Sequence, residues 1–338
     1  MPMKKSPIRS IATVCGLLFL IIIGLSVGLA YYLLSPGPGN AKDQVFFIRP
    51  GLSFKEVARE LEANNLIRHK KLFLFWARFR GIDAKVKAGE YLLNPDMPPL
   101  RILGIMKKGM VITHAVTIPE GYTIRQIAEL FAANNLLDKT KFVALAFDPE
   151  RVKNYGLTGA SLEGYLYPDT YYFSKGLPAQ AVLDTLVNRF LAEIKPYKAQ
   201  IAQSGLTLAE VVTLASIVEK ETGVAEERPL IAGVFLNRLK KRMRLESDPT
   251  TIYGIKDFNG NLTRNDLHQS TPYNTYVIYG LPPGPIANPG IAAIKAVLEP
   301  TASNYIFFVS KNNGSHYFSE TLAEHNRAVN QFQKRRGN

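Results

Sequence analysis

Two glutamates, Glu219 and Glu221, stand near the end of a stretch, Leu208 to Glu221, that reads as a helix. Val211, Leu214, Ala215 and Val218 supply its apolar stripe, and Lys220 points to the opposite side. At about 100° per residue the two glutamates fall on opposite borders of that stripe. Glu221 sits beside Leu214 and Ile217, and Glu219 beside Leu208 and Val212. A carboxyl group at such a border is partly desolvated, which disfavours its charged form and lets it stay protonated near neutral pH as a general acid. A solvated surface glutamate has the same pattern, and helical geometry does not choose between the two positions.

Other chemistries have less to work with. The five histidines, His69, His114, His268, His316 and His325, include no pair with HExxH spacing, and scattered surface positions account for them. Cys15 is the single cysteine and lies in an apolar run, so everything downstream lacks disulfides, cysteine nucleophiles and thiolate metal sites. A chain without thiols is also one that an oxidising compartment tolerates. Gly159-Ala-Ser161-Leu-Glu163 misses the G-x-S-x-G nucleophile elbow because the second glycine comes one residue late. Neither a P-loop nor a complete dinucleotide fingerprint is present.

The elements that must position a carboxyl group begin with an anchor. Ile11 to Leu34 carries no charged side chain and as a helix reaches roughly 36 Å, enough to span a hydrocarbon core of about 30 Å. Lys4, Lys5 and Arg9 precede it and the next charge is Lys42, so the positive-inside bias puts the N-terminus in the cytoplasm. Gly28-Leu29-Ala30 offers a signal-peptidase site, but the apolar run is much longer than a signal h-region and continues through Tyr31-Tyr32-Leu33-Leu34, which favours a retained anchor. The chain has 338 residues, room for two or three domains. The expected organisation is a tail (1–10), a transmembrane helix (11–34), a Pro/Gly linker (35–42), a repeat region (43–156) and a second domain (157–338). Lys and Arg outnumber Asp and Glu by 41 to 28, a net charge of +13, which favours anionic partners such as phospholipid, nucleic acid or a carboxylate-rich polymer. Arg238, Lys240, Lys241, Arg242 and Arg244 concentrate this charge. The anchor argues against nucleic acid, and cations at a helix C-terminus are the plainer reading.

The repeat has a spacing of 70 residues. Phe47-Ile-Arg-Pro-Gly51, Phe54 and Asn64-Asn65-Leu66 are echoed by Thr117-Ile-Pro-Glu-Gly121, Ile124 and Asn134-Asn135-Leu136. Each copy reads as a strand, a Gly turn, an amphipathic helix and an Asn-Asn stop, and Lys87 to Leu93 adds a strand between them. The units resemble the LysM type of glycan-binding module; a purely structural spacer has the same outline. Downstream, helices are expected over Ala179–Ile194, Leu208–Glu221 and from Pro229 to about Lys241, followed by a hairpin at Tyr305–Val309 and His316–Phe318 and a C-terminal helix. The fold class is α+β.

Several ordered motifs then point to one family. Ala215-Ser-Ile-Val-Glu-Lys-Glu-Thr222, Glu227-Arg228, Val234-Phe-Leu-Asn-Arg-Leu239, Ser247-Asp-Pro-Thr250, Tyr273-Asn-Thr-Tyr276, Gly280-Leu-Pro-Pro-Gly284 and Glu163-Gly-Tyr-Leu-Tyr-Pro-Asp-Thr-Tyr171 together resemble the endolytic murein transglycosylases, the MltG or YceG-like family. The resemblance implies a mixed α+β lytic transglycosylase domain beside a LysM-like αβ subdomain, anchored in a bacterial inner membrane with the catalytic domain periplasmic. It implies non-hydrolytic cleavage of the β-1,4 bond between N-acetylmuramic acid and N-acetylglucosamine in nascent strands, ending elongation and leaving 1,6-anhydro-muramoyl ends. Lytic transglycosylases place the catalytic glutamate directly before a small hydroxyl residue, and Glu221-Thr222 fits that pattern whereas Glu219 precedes Lys220. Glu221 is thereby the expected acid and base, with no metal and no cofactor. Glu163, Asp248, Asn274 and Tyr276 are the expected substrate-binding residues, tyrosine rings suiting the apolar faces of sugars. The implied partners are peptidoglycan glycan strands, inner-membrane lipid and peptidoglycan synthases, with no nucleic acid. The alternatives are a non-catalytic peptidoglycan-binding scaffold, and an amidase or peptidase, which lacks the metal or nucleophile it would need.

Overall fold

The computed structural model describes residues 7–38 and 42–334. Parts of the expected tail, linker and C-terminus (1–6, 39–41 and 335–338) lie outside the described residues. The chain divides into two compact units, Met1–His114 with Ser174–Leu177, and Ala115–Phe173 with Pro178–Asn338. The division falls inside the expected 43–156 region, so the second copy of the repeat belongs to the second unit. The architecture is mixed α+β, with three two-stranded sheets among the described residues.

In the first unit α1 (Pro7–Leu34) precedes β1 (Gln44–Ile48), α2 (Phe54–Ala63), α3 (Lys70–Phe79), β2 (Gly89–Leu93) and α4 (Pro99–Lys108). Among the described residues α1 is the one straight helix long and apolar enough to cross a membrane, over Ile11–Leu34 with mean hydropathy 2.6. β1 and β2 pair antiparallel from Gln44↔Leu93 to Ile48↔Gly89. Phe46, Ile48, Leu61, Phe73, Tyr91 and Ile102 fill the core behind them.

The 70-residue repeat is a repeat of caps as well as of hydrophobicity. β3 (Thr113–Thr117) leads into α5 (Ile124–Ala133) as β1 leads into α2. Ser53 and Thr123 each close a capping box, with Glu56 and Gln126, which satisfies free N–H groups of the first turn. Asn64 and Asn134 hydrogen-bond back to the carbonyls of Glu60 and Leu130, both at 2.8 Å. Asn65 and Asn135 follow in the left-handed region, at φ 56° and 53°, which ends the helix. Each copy continues with further helical structure and a returning strand: α3 and β2 in the first, and two helices, α6 (Lys139–Ala146) and α7 (Pro149–Asn154), before β4 (Thr170–Ser174) in the second, where β4 pairs with β3.

The second unit continues with α8 (Ala179–Ile194), α9 (Lys198–Ser204), α10 (Leu208–Glu221), α11 (Arg228–Lys240), α12 (Asp248–Gly254), α13 (Arg264–His268), α14 (Ile291–Leu298), β5 (Phe307–Ser310), β6 (His316–Ser319) and α15 (Leu322–Val329). β5 and β6 form the expected hairpin, in register Phe307↔Ser319 to Ser310↔His316. Thr207 and Glu210 cap the start of α10. The expected single stripe on that helix is wrong in extent: every residue from Val211 to Val218 is buried. α11 and α14 pack against α10 and each other, and α12 closes on it too. Its two internal hydroxyls are accommodated by back-bonding, Thr213 Oγ1 to Ala209 O and Ser216 Oγ to Thr213 O, both at 2.7 Å. Ser216 Oγ also accepts the Ile286 N–H at 3.0 Å.

The basic run also needs correction. Lys240 and Lys241 are exposed at the end of α11 as expected, but Arg238 is 7% exposed. It donates to the carbonyls of Ile306 (2.6 Å) and Leu245 (2.9 Å) and to Glu246 (3.0 Å), because inward-facing carbonyls of irregular backbone need a donor that helices do not supply.

Gly164 marks how closely the loop beside α10 is packed. Its φ is +85°, and a Cβ there would meet Pro285 at 2.5 Å and Val212 at 2.7 Å. Gly164→Ala combines backbone strain with overpacking and should destabilise the protein by about 3 kcal/mol or more, read as a lower denaturant midpoint.

Candidate active site

Glu221 is the last residue of α10. Thr222 turns extended, at φ −142° and ψ 140°, and stops the helix. Its hydroxyl accepts the Val224 N–H at 2.9 Å. The following turn is pinned by buried Glu227, which accepts the backbone N–H of His316 at 2.8 Å and lies 2.7 Å from His316 Nδ1. These contacts fix the direction in which the end of α10 points.

The Glu221 carboxyl is only partly accessible and receives a hydrogen bond from Ser247 Oγ. Burial pushes its pKa up to about 7; the Ser247 hydroxyl opposes the shift, the nearby Asp248 charge adds to it, and Arg238 opposes it. Ser247 is 1% exposed, and its N–H donates to Thr275 Oγ1 at 3.0 Å. Thr250 Oγ1 donates to the Ser247 carbonyl at 2.6 Å and lies 2.8 Å from Thr275 Oγ1. The hydroxyl that meets Glu221 is therefore held on a fixed backbone.

Glu219 has a different environment. Its side chain is 5% exposed and pairs with Arg228 Nη2 at 3.2 Å, while its other oxygen accepts the Gly290 N–H at 3.0 Å. Arg228 also lies 3.6 Å from Glu120, whose carboxyl is pushed up by burial and by the Glu219 charge. Both oxygens of this carboxyl group are thus engaged, one by a guanidinium and one by a backbone donor. The structure thus separates two glutamates that helical periodicity left equivalent.

Asp248 is exposed and opens α12, where its Oδ1 accepts the Tyr276 hydroxyl proton at 2.7 Å. Burial, the hydrogen bond to Asp248 and the Glu221 charge all push the Tyr276 hydroxyl up, so it remains a donor. Glu221, Ser247, Asp248 and Tyr276 make one cluster. The other two expected substrate-binding residues lie beneath the surface. Asn274 is 0% exposed; its Nδ2 donates to the carbonyls of Gln269 (2.7 Å) and Leu267 (3.1 Å), and its Oδ1 accepts from Thr251 Oγ1 (2.9 Å) and the Tyr276 N–H (3.0 Å). Glu163 is 2% exposed and accepts from the Ile124 N–H (2.9 Å), Asn288 Nδ2 (3.0 Å) and Tyr253 OH (3.1 Å). Burial pushes it up to about 8 against those three donors.

Ser247 is the residue that sequence reasoning passed over. By type and place, just before Asp248-Pro249, it would be a helix N-cap, yet its side chain makes no capping bond because the hydroxyl is turned to Glu221. Nothing local records that choice. Among the described residues no group of three or more His, Cys, Asp or Glu side chains is arranged to hold a metal ion.

The sequence model of the YceG-like family matches residues 46–331. The chain belongs to the YceG-like family. It is 31% identical to the endolytic murein transglycosylase of Bacillus subtilis, with 92% of this chain and 91% of that protein covered. It is 32% identical to the endolytic murein transglycosylase of Streptococcus pneumoniae serotype 2, again over 92% of this chain but only 63% of the longer relative. The crystal structure of a yceG-like protein from Listeria monocytogenes matches with a TM-score of 0.60 and 34% identity, covering 85% of this chain and 99% of that one. The candidate site of this chain is the end of one buried helix facing the start of a short one.

The two glutamates should respond oppositely to neutralisation. The Glu221 pKa is raised from 4.5 to about 7, so the native state holds that proton more tightly than the unfolded chain. The resulting stability is complete below the unfolded value and is lost as pH rises through about 7. Glu221→Gln removes that loss and should stabilise the fold at about pH 8 by about 1–3 kcal/mol, with the gain shrinking towards about pH 5. Glu219→Gln leaves Arg228 without its charge partner and should destabilise the fold throughout that range. Chemical denaturation of both variants across pH measures the two signs.

Proposed function

We propose that this protein is an endolytic peptidoglycan lytic transglycosylase in which Glu221 is the single acid and base. The observation that carries this reading is the Glu221 carboxyl itself: half-buried, hydrogen-bonded to one hydroxyl and lacking a salt bridge to a cation among the described residues. The names of the relatives from Bacillus and Streptococcus supply the polymer, murein. A group titrating near 7 exchanges its proton at little cost in either direction at neutral pH.

In the proposed reaction protonated Glu221 donates to the glycosidic oxygen between N-acetylmuramic acid and N-acetylglucosamine as the C1–O bond breaks. The resulting carboxylate then takes the proton of the muramoyl C6 hydroxyl while that oxygen closes on C1. The products are a free N-acetylglucosamine 4-hydroxyl and a 1,6-anhydro-muramoyl end, and Glu221 regains its proton. A hydrolase flanks the bond with two carboxyl groups because one must activate water or form a covalent adduct. Here the substrate brings the nucleophile, so one group serves both half-steps.

Asp248 and Tyr276 are the residues we assign to the sugar. The Asp248 carboxylate also stabilises positive charge developing at C1, and its charge adds to burial in raising the Glu221 pKa. Glu163 and Asn274 support the loops that carry these groups. The strand–helix–helix–strand copies at 44–93 and 113–174 offer LysM-like surfaces for the same polymer. The basic N-terminal flank supports an N-terminus in the cytoplasm and a chain that lies, beyond the anchor, on the periplasmic side of the inner membrane, where nascent strands and their synthases are met.

Glu221→Gln keeps shape and most hydrogen bonding but has no acid proton, so turnover of purified glycan strands should fall by about 10⁴-fold or more while the fold persists. Ser247→Ala removes a donor that favours the carboxylate, so the alkaline limb of the pH–rate profile should move to higher pH. Digestion in ¹⁸O-water should leave the new muramoyl ends unlabelled and 1,6-anhydro by mass. Labelled reducing ends would mean hydrolysis, and full activity in Glu221→Gln would move the role to another group.

A further inference from the structure

Helix α3 carries a face that its own unit leaves uncovered. Phe73 and Ala77 turn into the core, whereas Leu72, Phe75 and Phe79 are 38%, 58% and 70% exposed. At about 100° per residue these three fall within about 60° of arc and make one apolar stripe. The helix has no acidic residue. Exposed Lys71 and Arg78 border the stripe on one side and exposed Arg80 on the other. None of the three joins an ion pair among the described residues.

The position of this helix says what covers the stripe. α3 begins against the end of the membrane span: Tyr32 OH donates to the His69 carbonyl at 3.1 Å, their rings are 5.7 Å apart, and Arg68 Nη2 donates to the Gly37 carbonyl at 3.0 Å. Leu72 lines a shallow cavity together with Gly28, Tyr31 and Tyr32. Gly28 precedes the end of the apolar span at Leu34 by about 9 Å of helix rise. The start of α3 therefore lies against the last turns of the span, where the apolar run gives way to Ser35-Pro-Gly37.

We propose that α3 is an interfacial helix: Leu72, Phe75 and Phe79 dock onto the lipid surface from which α1 emerges, and Lys71, Arg78 and Arg80 reach the lipid phosphates. A helix with an apolar face flanked by bases lies in the plane of the interface, its apolar side sunk about 5–10 Å. Aromatic rings favour that depth, and long basic side chains bury their stems while keeping the charge among headgroups. A docked α3 fixes which face of the first unit meets the bilayer. The inference rests on the anchor and on α3, and stands apart from the catalytic reading.

Trp76, on the same helix with its ring 5.6 Å from that of Phe79, is the only tryptophan in the chain, so its emission reports this helix alone. The test uses the full chain in proteoliposomes of phosphatidylethanolamine and phosphatidylglycerol, with and without bromine on the acyl chains close to the headgroup. Brominated lipid should reduce Trp76 emission by about two-fold or more. Phe75→Ser/Phe79→Ser keeps α1 and the buried face of α3, and should lose most of that quenching while remaining in the membrane. Absence of quenching in the parent would overturn the proposal. So would equal quenching in the double variant, since the anchor alone would then hold Trp76 near lipid. Unquenched Trp76 together with disulfide cross-linking of Phe79→Cys between copies would also overturn it, because a second copy would be the cover.

Discussion

The site depends on removing one carboxyl group from water without giving it a cation. Desolvating a carboxylate is costly, and a protein ordinarily offsets the cost with an arginine, as at Glu219, or with several donors. Glu221 has one hydroxyl and a partly open edge, so the group itself adjusts by holding its proton. Much of the second unit serves to make that arrangement rigid. α10 is buried all round over Val211–Val218, which prevents its last turn from moving towards solvent. The Glu227–His316 contacts tie the chain just beyond it to the hairpin.

Two glutamates two residues apart on one helix show how far environment outranks identity. Arg228 and the Gly290 N–H bind both oxygens of Glu219, while burial and the Asp248 charge raise the Glu221 pKa to about 7. Glu219 does its work in the fold, joining the end of α10 to the start of α11 and to the segment entering α14. Equivalent borders of a helical stripe thus become a structural ion pair and a titratable acid.

The irregular stretches around the site are ordered by buried polar groups in place of ladders. Asn288 accepts the Leu166 N–H at 2.9 Å and donates to the Tyr122 carbonyl at 2.8 Å and to Glu163 at 3.0 Å, so one side chain ties together three loops. Asn274 does the same for the turn after α13. In segments with little helix or strand character the backbone groups still need partners, and amide and carboxyl side chains are the ones long enough to reach them. Glu163 and Asn274 serve as staples because each offers several hydrogen-bonding sites at once.

What the sequence by itself determined is everything governed by neighbours along the chain. The uncharged run Ile11–Leu34, the 70-residue repeat with its Asn-Asn stops, the helices at 179–194 and 208–221 and the hairpin around Asn312–Gly314 all follow from periodicity and stop signals, which act over a few residues. The family motifs added Glu221-Thr222. The tertiary structure alone decided which partners meet across distance. It buried α10 on every side where periodicity offered one stripe, sent Arg238 inward, drew Ser247 from a capping position to Glu221, and gave Arg228 to Glu219. It also brought Asp248 and Tyr276 beside Glu221 while placing Glu163 and Asn274 beneath the surface. Local patterns fix where a side chain points along its own element. Desolvation and charge pairing depend on what other elements bring to it, and those terms set whether a glutamate is an ion, a staple or an acid.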